Sequence, residues 1–166
     1  MSSAIDEFVF IADLDDADPA VAALFQRKFR ADIPEFPHHI VAWVRGADGR
    51  QTPGCYSHVT DCGDLLLGGG ACSDDRVLRR MSATQRDALR EVGGLYRLTI
   101  EWVAQRFRTR HPALFVYVGD ALSERVLRAA GFEATRVERL MVRWLQDPSE
   151  RRRHQLVAKA KSFIPF

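Results

Sequence analysis

Apolar positions in this chain recur first at one spacing and then at another, and each change marks the border of a predicted element. Phe8-Val9-Phe10-Ile11-Ala12 reads as a short buried strand, ended by the acidic turn 13–18. Asp18 before Pro19 makes an N-cap and first-turn pair. Val21, Leu24, Phe25 and Phe29 follow at helical spacing, so that helix buries one face. Pro34 and Pro37 break the chain ahead of the strand His39-Ile40-Val41-Ala42-Trp43-Val44. Gly46-Ala47-Asp48-Gly49 tolerates the positive φ of a tight hairpin, and the returning strand lies within 54–60. A further turn, Asp61-Cys62-Gly63-Asp64, leads into Leu65-Leu66-Leu67 and three consecutive glycines, Gly68 to Gly70. Glycines in a strand signal a bulge or the close approach of a backbone or ligand; a flexible turn is the plainer alternative.

Residues 74–90 are polar and predicted helical, with Ser82 as a cap inside the run. Leu95, Leu98, Trp102, Val103 and Phe107 give a long amphipathic helix that starts directly after Gly93-Gly94 and closes at His111-Pro112. The near-continuous apolar run 113–118 is that of a strand covered on both faces. Gly119-Asp120 turns into a short helix over 121–130, with Gly131 as its C-cap. Residues 135–145 alternate loosely as a last strand. Asp147, Pro148 and Glu150 read as a capping box for a basic C-terminal helix reaching residue 161. No repeat, linker or low-complexity tract divides the chain, so a single domain, 1–166, is expected.

Composition narrows this picture. The 166 residues, 46% apolar and 28% charged, are those of a globular α/β domain. A formal net charge of +2 is too small to imply nucleic acid. No apolar run approaches the roughly 20 residues that span a bilayer, and the first residues lack the features of a secretory signal. The cytoplasm is therefore expected, and no membrane. Three cysteines, Cys55, Cys62 and Cys72, fit a reducing compartment, because an odd number cannot all pair within one chain. Arg76, Arg79, Arg80, Arg86 and Arg90 are bunched, which suits either a solvated helix face or a phosphate.

The order strand, helix, three strands, long helix, strand, helix, strand resembles the GNAT (Gcn5-related N-acetyltransferase) fold over residues 8–145. The most specific part is Phe115-Val116-Tyr117-Val118-Gly119-Asp120-Ala121-Leu122-Ser123-Glu124-Arg125-Val126-Leu127-Arg128-Ala129-Ala130-Gly131-Phe132, similar to the family's fifth strand, polar turn, short helix and closing Gly-Phe. Residues 133–144 then look like its sixth strand. Arg90-Glu91-Val92-Gly93-Gly94-Leu95 resembles the family's pyrophosphate loop, Arg/Gln-x-x-Gly-x-Gly/Ala, although Leu95 replaces the last small residue and 74–89 intervene. The chain is thus identified as a divergent member. The resemblance implies a mixed, mainly antiparallel sheet flanked by helices, here with an extra C-terminal helix.

The implied activity is acyl transfer from acetyl-CoA or a longer acyl-CoA, or from an acyl carrier protein, to a small amine or hydroxyl acceptor. By resemblance Gly70, Ala71, Cys72 and Ser73 hold the thioester carbonyl and pantetheine arm, and Arg90, Gly93 and Gly94 the pyrophosphate. The tyrosine that many members carry four residues before the closing glycine is Leu127 here, so the usual proton source is missing. His58, whose ordinary pKa is near neutrality, is a candidate base, with Asp61 or Asp64 acting through water as others; a structural strand histidine is the plainer reading. Cys72 is a candidate acyl acceptor, or inert packing. Cys55, His58 and Cys62 lack the paired spacing of a zinc site, so no metal is expected. His38-His39 reads as a surface pair, or as a substrate contact if its loop folds over the cleft. An inactive GNAT-like binding or assembly module is the competing function, and the C-terminal helix either packs on a partner subunit, as in a homodimer, or covers its own domain.

Overall fold

The computed structural model describes residues 4–166. Seven strands form one sheet in the order β1-β2-β3-β4-β5-β7-β6, and the chain divides into two compact units.

The first unit comprises the chain up to His58 together with Ala71–Thr99. It holds β1 (Val9–Leu14), α1 (Pro19–Phe29), β2 (His38–Arg45), α2 (Asp75–Arg80) and α3 (Ala83–Glu91), with most of β3 (Gln51–Asp61), the end of β4 (Leu66–Ser73) and the start of α4 (Leu95–Phe107). β1 and β2 pair antiparallel from Val9↔Val44 to Leu14↔His39. Side chains alternate across a strand, so β2 and β3 feed two cores. Val41 and Tyr56 pack with Val21, Leu24 and Phe25 of α1. Ala42, Val44 and Cys55 pack with Val77, Met81, Leu89 and Leu95 of the later helices.

The polar stretch 74–90 is two helices, not one. Asp74 caps α2 by accepting the Arg76 N–H. Ser82 and Gln85 exchange a reciprocal capping box that starts α3. A serine that offers its oxygen to the backbone ahead competes with the helix behind it, and the helix stops there.

The second unit comprises Val59–Gly70 and Ile100–Phe166. It contains β5 (Ala113–Tyr117), α5 (Ala121–Ala129), β6 (Glu133–Ala134), β7 (Leu140–Trp144) and α6 (Glu150–Lys161). Here β4 runs parallel to β5 from Leu66↔Leu114 to Gly68↔Val116. β5 pairs antiparallel with β7, and β7 with β6. The expected single last strand is therefore a hairpin. Thr135 Oγ1 accepts the Val137 N–H, and Arg139 adopts a left-handed φ of 64°, which turns the polar residues between the two strands.

The C-terminal helix covers its own sheet. Leu156, Val157 and Ala160 pack with Leu65, Leu67, Phe115 and Val142. Arg152 and Lys159 both meet Asp64, and Lys159 donates to the Cys62 carbonyl at 2.7 Å. Its N-cap is Ser149, which accepts the Arg152 N–H. Asp147, expected in that role, stands two residues too early and pairs with Arg153 instead.

Candidate functional site

The glycines of β4 bend its ladder. The Cys62 N–H donates to Leu65 O, and further along the Asp74 N–H donates to Gly54 O. Between those two bonds the β4 side is one residue longer than the β3 side. That surplus residue is a bulge, and Gly70, with φ of 54°, supplies the left-handed backbone it needs. Gly68 serves a different purpose: a Cβ there would lie 3.4 Å from Val116 Cγ2 of the parallel neighbour. β4 pairs with β5 over Leu66–Gly68 and continues to Ser73, whereas β5 ends at Tyr117.

Beyond the bulge the side chains separate by face. Burial raises the Cys55 thiol pKa, and Ser73 and Thr99 on that side counter the rise. Cys72 points the other way, against the core that contains Tyr56 and α1. Burial, with Cys55 nearby, pushes the Cys72 thiol up to about 12. It stays a thiol at neutral pH, and the thiol is a far weaker nucleophile than the thiolate.

The same face of β3 and β2 carries a cluster of rings. His39 Nδ1 and the Tyr56 hydroxyl are hydrogen-bonded at 2.9 Å, and Phe25 meets the Tyr56 ring edge-on at 5.7 Å. The His58 ring lies flat against Phe36, with centroids 3.5 Å apart and planes 7° from parallel. Phe36 comes from the Pro34–Pro37 stretch, which carries it over the strand. Burial, reinforced by His39, brings the His58 pKa down to about 4. The ring is neutral at physiological pH, and its buried Nδ1 has no hydrogen-bond partner among the described residues. Burial also lowers His39, against the opposing pull of Asp16 and Asp13, and raises the Tyr56 phenol. His38 sits 3.0 Å from Asp13.

The His38-His39 pair is thus not a surface pair, since His39 is 3% exposed. Tyr56 and Phe36 were absent from the sequence-based candidates. Tyr56 had a signal, because it lies two residues before His58 and so shares its face. Phe36 had none, since only the loop's path brings it there.

Gly93 and Gly94 have φ of 85° and 95°, and they close α3. Gly93 N–H donates to Arg90 O and Gly94 N–H to Leu89 O, the paired bonds of a Schellman end. These two N–H groups are engaged within the chain. The Gly94 carbonyl accepts from Leu98 N–H and begins α4. The positive end of that helix is set against β3 by Gly54, where a Cβ would fall 2.7 Å from Leu95 Cδ1. Arg97 crosses over Gly93, its Cδ 2.6 Å from where a Cβ would stand. Arg90 pairs with Asp87. For a pyrophosphate, then, the first turn of α4 and the Arg97 guanidinium fit better than the glycine N–H groups themselves.

In the second unit Leu127, at the position where family members carry tyrosine, is fully buried. Among the described residues no three His, Cys, Asp or Glu side chains converge as metal ligands. No described helix is long and apolar enough to cross a membrane.

No protein-family model matches the chain, and no curated protein matches it in sequence. Solved structures do. The ribosomal-protein-S18-alanine N-acetyltransferase from Escherichia coli superposes with a TM-score of 0.57 at 15% identity, covering 86% of this chain and 97% of that one. The chain has the GNAT fold, as its strand order led us to expect.

Proposed function

We propose that this protein is an acyltransferase that takes an acyl group from acyl-CoA and delivers it to a small amine or hydroxyl acceptor. The observation that carries the reading is the bulged β4, which pairs with β5 over Leu66–Gly68 and runs on through Gly70, Ala71, Cys72 and Ser73, whereas β5 ends at Tyr117. A bulged strand that is longer than its neighbour can turn backbone N–H groups toward a thioester carbonyl and stabilise the charge that develops on it. The thioester supplies an activated acyl carbon. In this reading Arg97 and the first turn of α4, next to Gly93, Gly94 and Arg90, hold the pyrophosphate.

The acceptor lies on the α1 face of β3 and β4. His58, neutral and short of one hydrogen bond, orients the acceptor's N–H or O–H. With a pKa of about 4 it takes a proton poorly, so its contribution is positioning more than strong-base catalysis. The Cys72 thiol lines the site, and transfer passes directly from thioester to acceptor. An acyl carrier protein is the alternative donor, docking through the arginines of α2 and α3.

Titration calorimetry with acetyl-CoA and longer acyl-CoAs tests the reading. Saturable binding is expected, together with turnover that His58→Ala reduces while binding persists. No heat with any acyl-CoA at millimolar concentration would remove it. Binding without turnover on any amine or alcohol would favour the competing reading, a GNAT-fold binding module; the engaged N–H groups of Gly93 and Gly94 and the buried Leu127 are what support that second reading.

A further inference from the structure

The first unit also contains a cavity lined by several arginines. Between the β2–β3 hairpin and the corner where α2 meets α3 lies a cavity of about 390 Å³. Its floor is apolar, made by Val44, Val77 and Met81, all buried. Its rim holds three guanidinium groups, Arg45, Arg50 and Arg80, against one carboxylate, Asp48. Asp48 serves its own hairpin, accepting the Arg50 N–H and lying 3.8 Å from Arg50 Nε. Arg45 and Arg80 make no ion pair among the described residues.

The two sides of the cavity are tied together. Gln85 Nε2 donates to the Arg45 carbonyl at 3.4 Å, while its Oε1 accepts the Ser82 N–H in the capping box. The helix corner that carries Arg80 and the strand end that carries Arg45 are thereby held at one spacing. Arginines outnumber carboxylates three to one in this lining, and a pocket with such an excess of positive charge is complementary to an anion.

We propose that this cavity binds a small organic phosphomonoester, with its phosphate on Arg45, Arg50 and Arg80 and its apolar body on Val44, Val77 and Met81. Three guanidinium groups less one carboxylate leave two positive charges. A phosphomonoester carries nearly two negative charges above its second pKa of about 6, whereas a simple carboxylate carries one. The guanidinium fork also matches phosphate oxygens two at a time. The volume lies within the range of small-ligand pockets, about 300–1,000 Å³. None of Gly70, Ala71, Cys72, Ser73, Arg90, Gly93 or Gly94 lines this cavity, so the proposal stands independently of acyl transfer.

The test uses the whole protein at low ionic strength near pH 8, titrated with phenyl phosphate, benzoate and inorganic phosphate while methyl signals are followed by NMR. Phenyl phosphate should bind about tenfold or more tighter than either other anion and should shift the Val77 and Met81 methyls. Arg45→Ala and Arg80→Ala, both exposed positions, should each weaken it about tenfold without altering the circular dichroism spectrum. Affinity should fall when the pH drops below about 6 and the phosphate loses a charge. Three results would each overturn the proposal: no saturable shift at about 10 mM phenyl phosphate, benzoate binding as tightly, or an Arg45→Ala/Arg80→Ala double variant with unchanged affinity.

Discussion

His58 owes its neutrality to burial against Phe36, and that has a measurable consequence for stability. Its pKa in the fold, about 4, lies below the ordinary value of 6.5, so between these two pH values the unfolded chain binds the extra proton. Stability therefore rises with pH across that window and falls on acidification, by a total on the order of 3 kcal/mol. His58→Phe keeps a ring against Phe36 and removes the proton. Urea denaturation of that variant should show a shallower loss of stability between pH 6.5 and 4 than the parent; an identical slope would contradict the assignment. Gly93 offers a second test. With φ of 85° and Arg97 across the vacant Cβ position, Gly93→Ala should cost about 1–2 kcal/mol in thermal unfolding, whether or not phosphate binds. At this scale the sequence was only partly readable. His58 and His39 could be named and Tyr56 placed on the face of His58, but the His39–Tyr56 hydrogen bond could not be foreseen, because alternation reports the face of a side chain and not its partner.

The elements were legible wherever turn chemistry and apolar period agreed. The hairpin at Gly46 to Gly49, the helix behind Asp18-Pro19 and the buried strand β5 all follow from residues that leave the backbone little choice. Where two capping residues compete, spacing on paper is ambiguous. Ser82 was seen as a cap inside one helix, yet a cap that is satisfied makes two. Asp147 and Ser149 both precede α6, and only the position of the Arg152 N–H decides between them. Ser149→Ala should cost about 1 kcal/mol. Asp147→Ala removes only an exposed ion pair and should change stability by less than about 0.5 kcal/mol. Thermal melts of the two variants compare the caps directly, and a larger loss at Asp147 would reverse the assignment. The split of the last strand had a weaker signal, the polar residues Thr135, Arg136, Glu138 and Arg139 around Val137, which loose alternation concealed.

For the whole molecule, strand order carried the fold even though 15% identity to a solved relative leaves almost no direct sequence trace. The parallel β4–β5 pair, the long helix before it and the segment ending in Gly131-Phe132 are constraints of topology, and many sequences satisfy them. The pyrophosphate loop is different in kind. Two adjacent glycines after an arginine look alike whether they cradle a ligand or end a helix, and only their hydrogen bonds tell which. The role of the C-terminal helix was likewise open in the sequence, because its apolar residues do not say whose surface they meet. Its apolar side lies on the chain's own sheet.

That helix is moored at one point by a single carboxylate shared between two cations. A hydrogen bond from Lys159, opposed by burial and supported by one from Arg152, holds the Asp64 carboxyl below its ordinary pKa. The contribution is present above the unfolded value and disappears as pH falls through the depressed one. Once that proton is taken up, Lys159 and Arg152 lose their common counter-ion together, and the helix loses two attachments in one event. Acid exposure should therefore peel the protein from its C-terminal end. Hydrogen exchange across a falling pH series should show the α6 amides losing protection before those of β5, and Asp64→Asn should produce the same order at neutral pH. Simultaneous loss in both elements would mean that the helix is held by its apolar face alone.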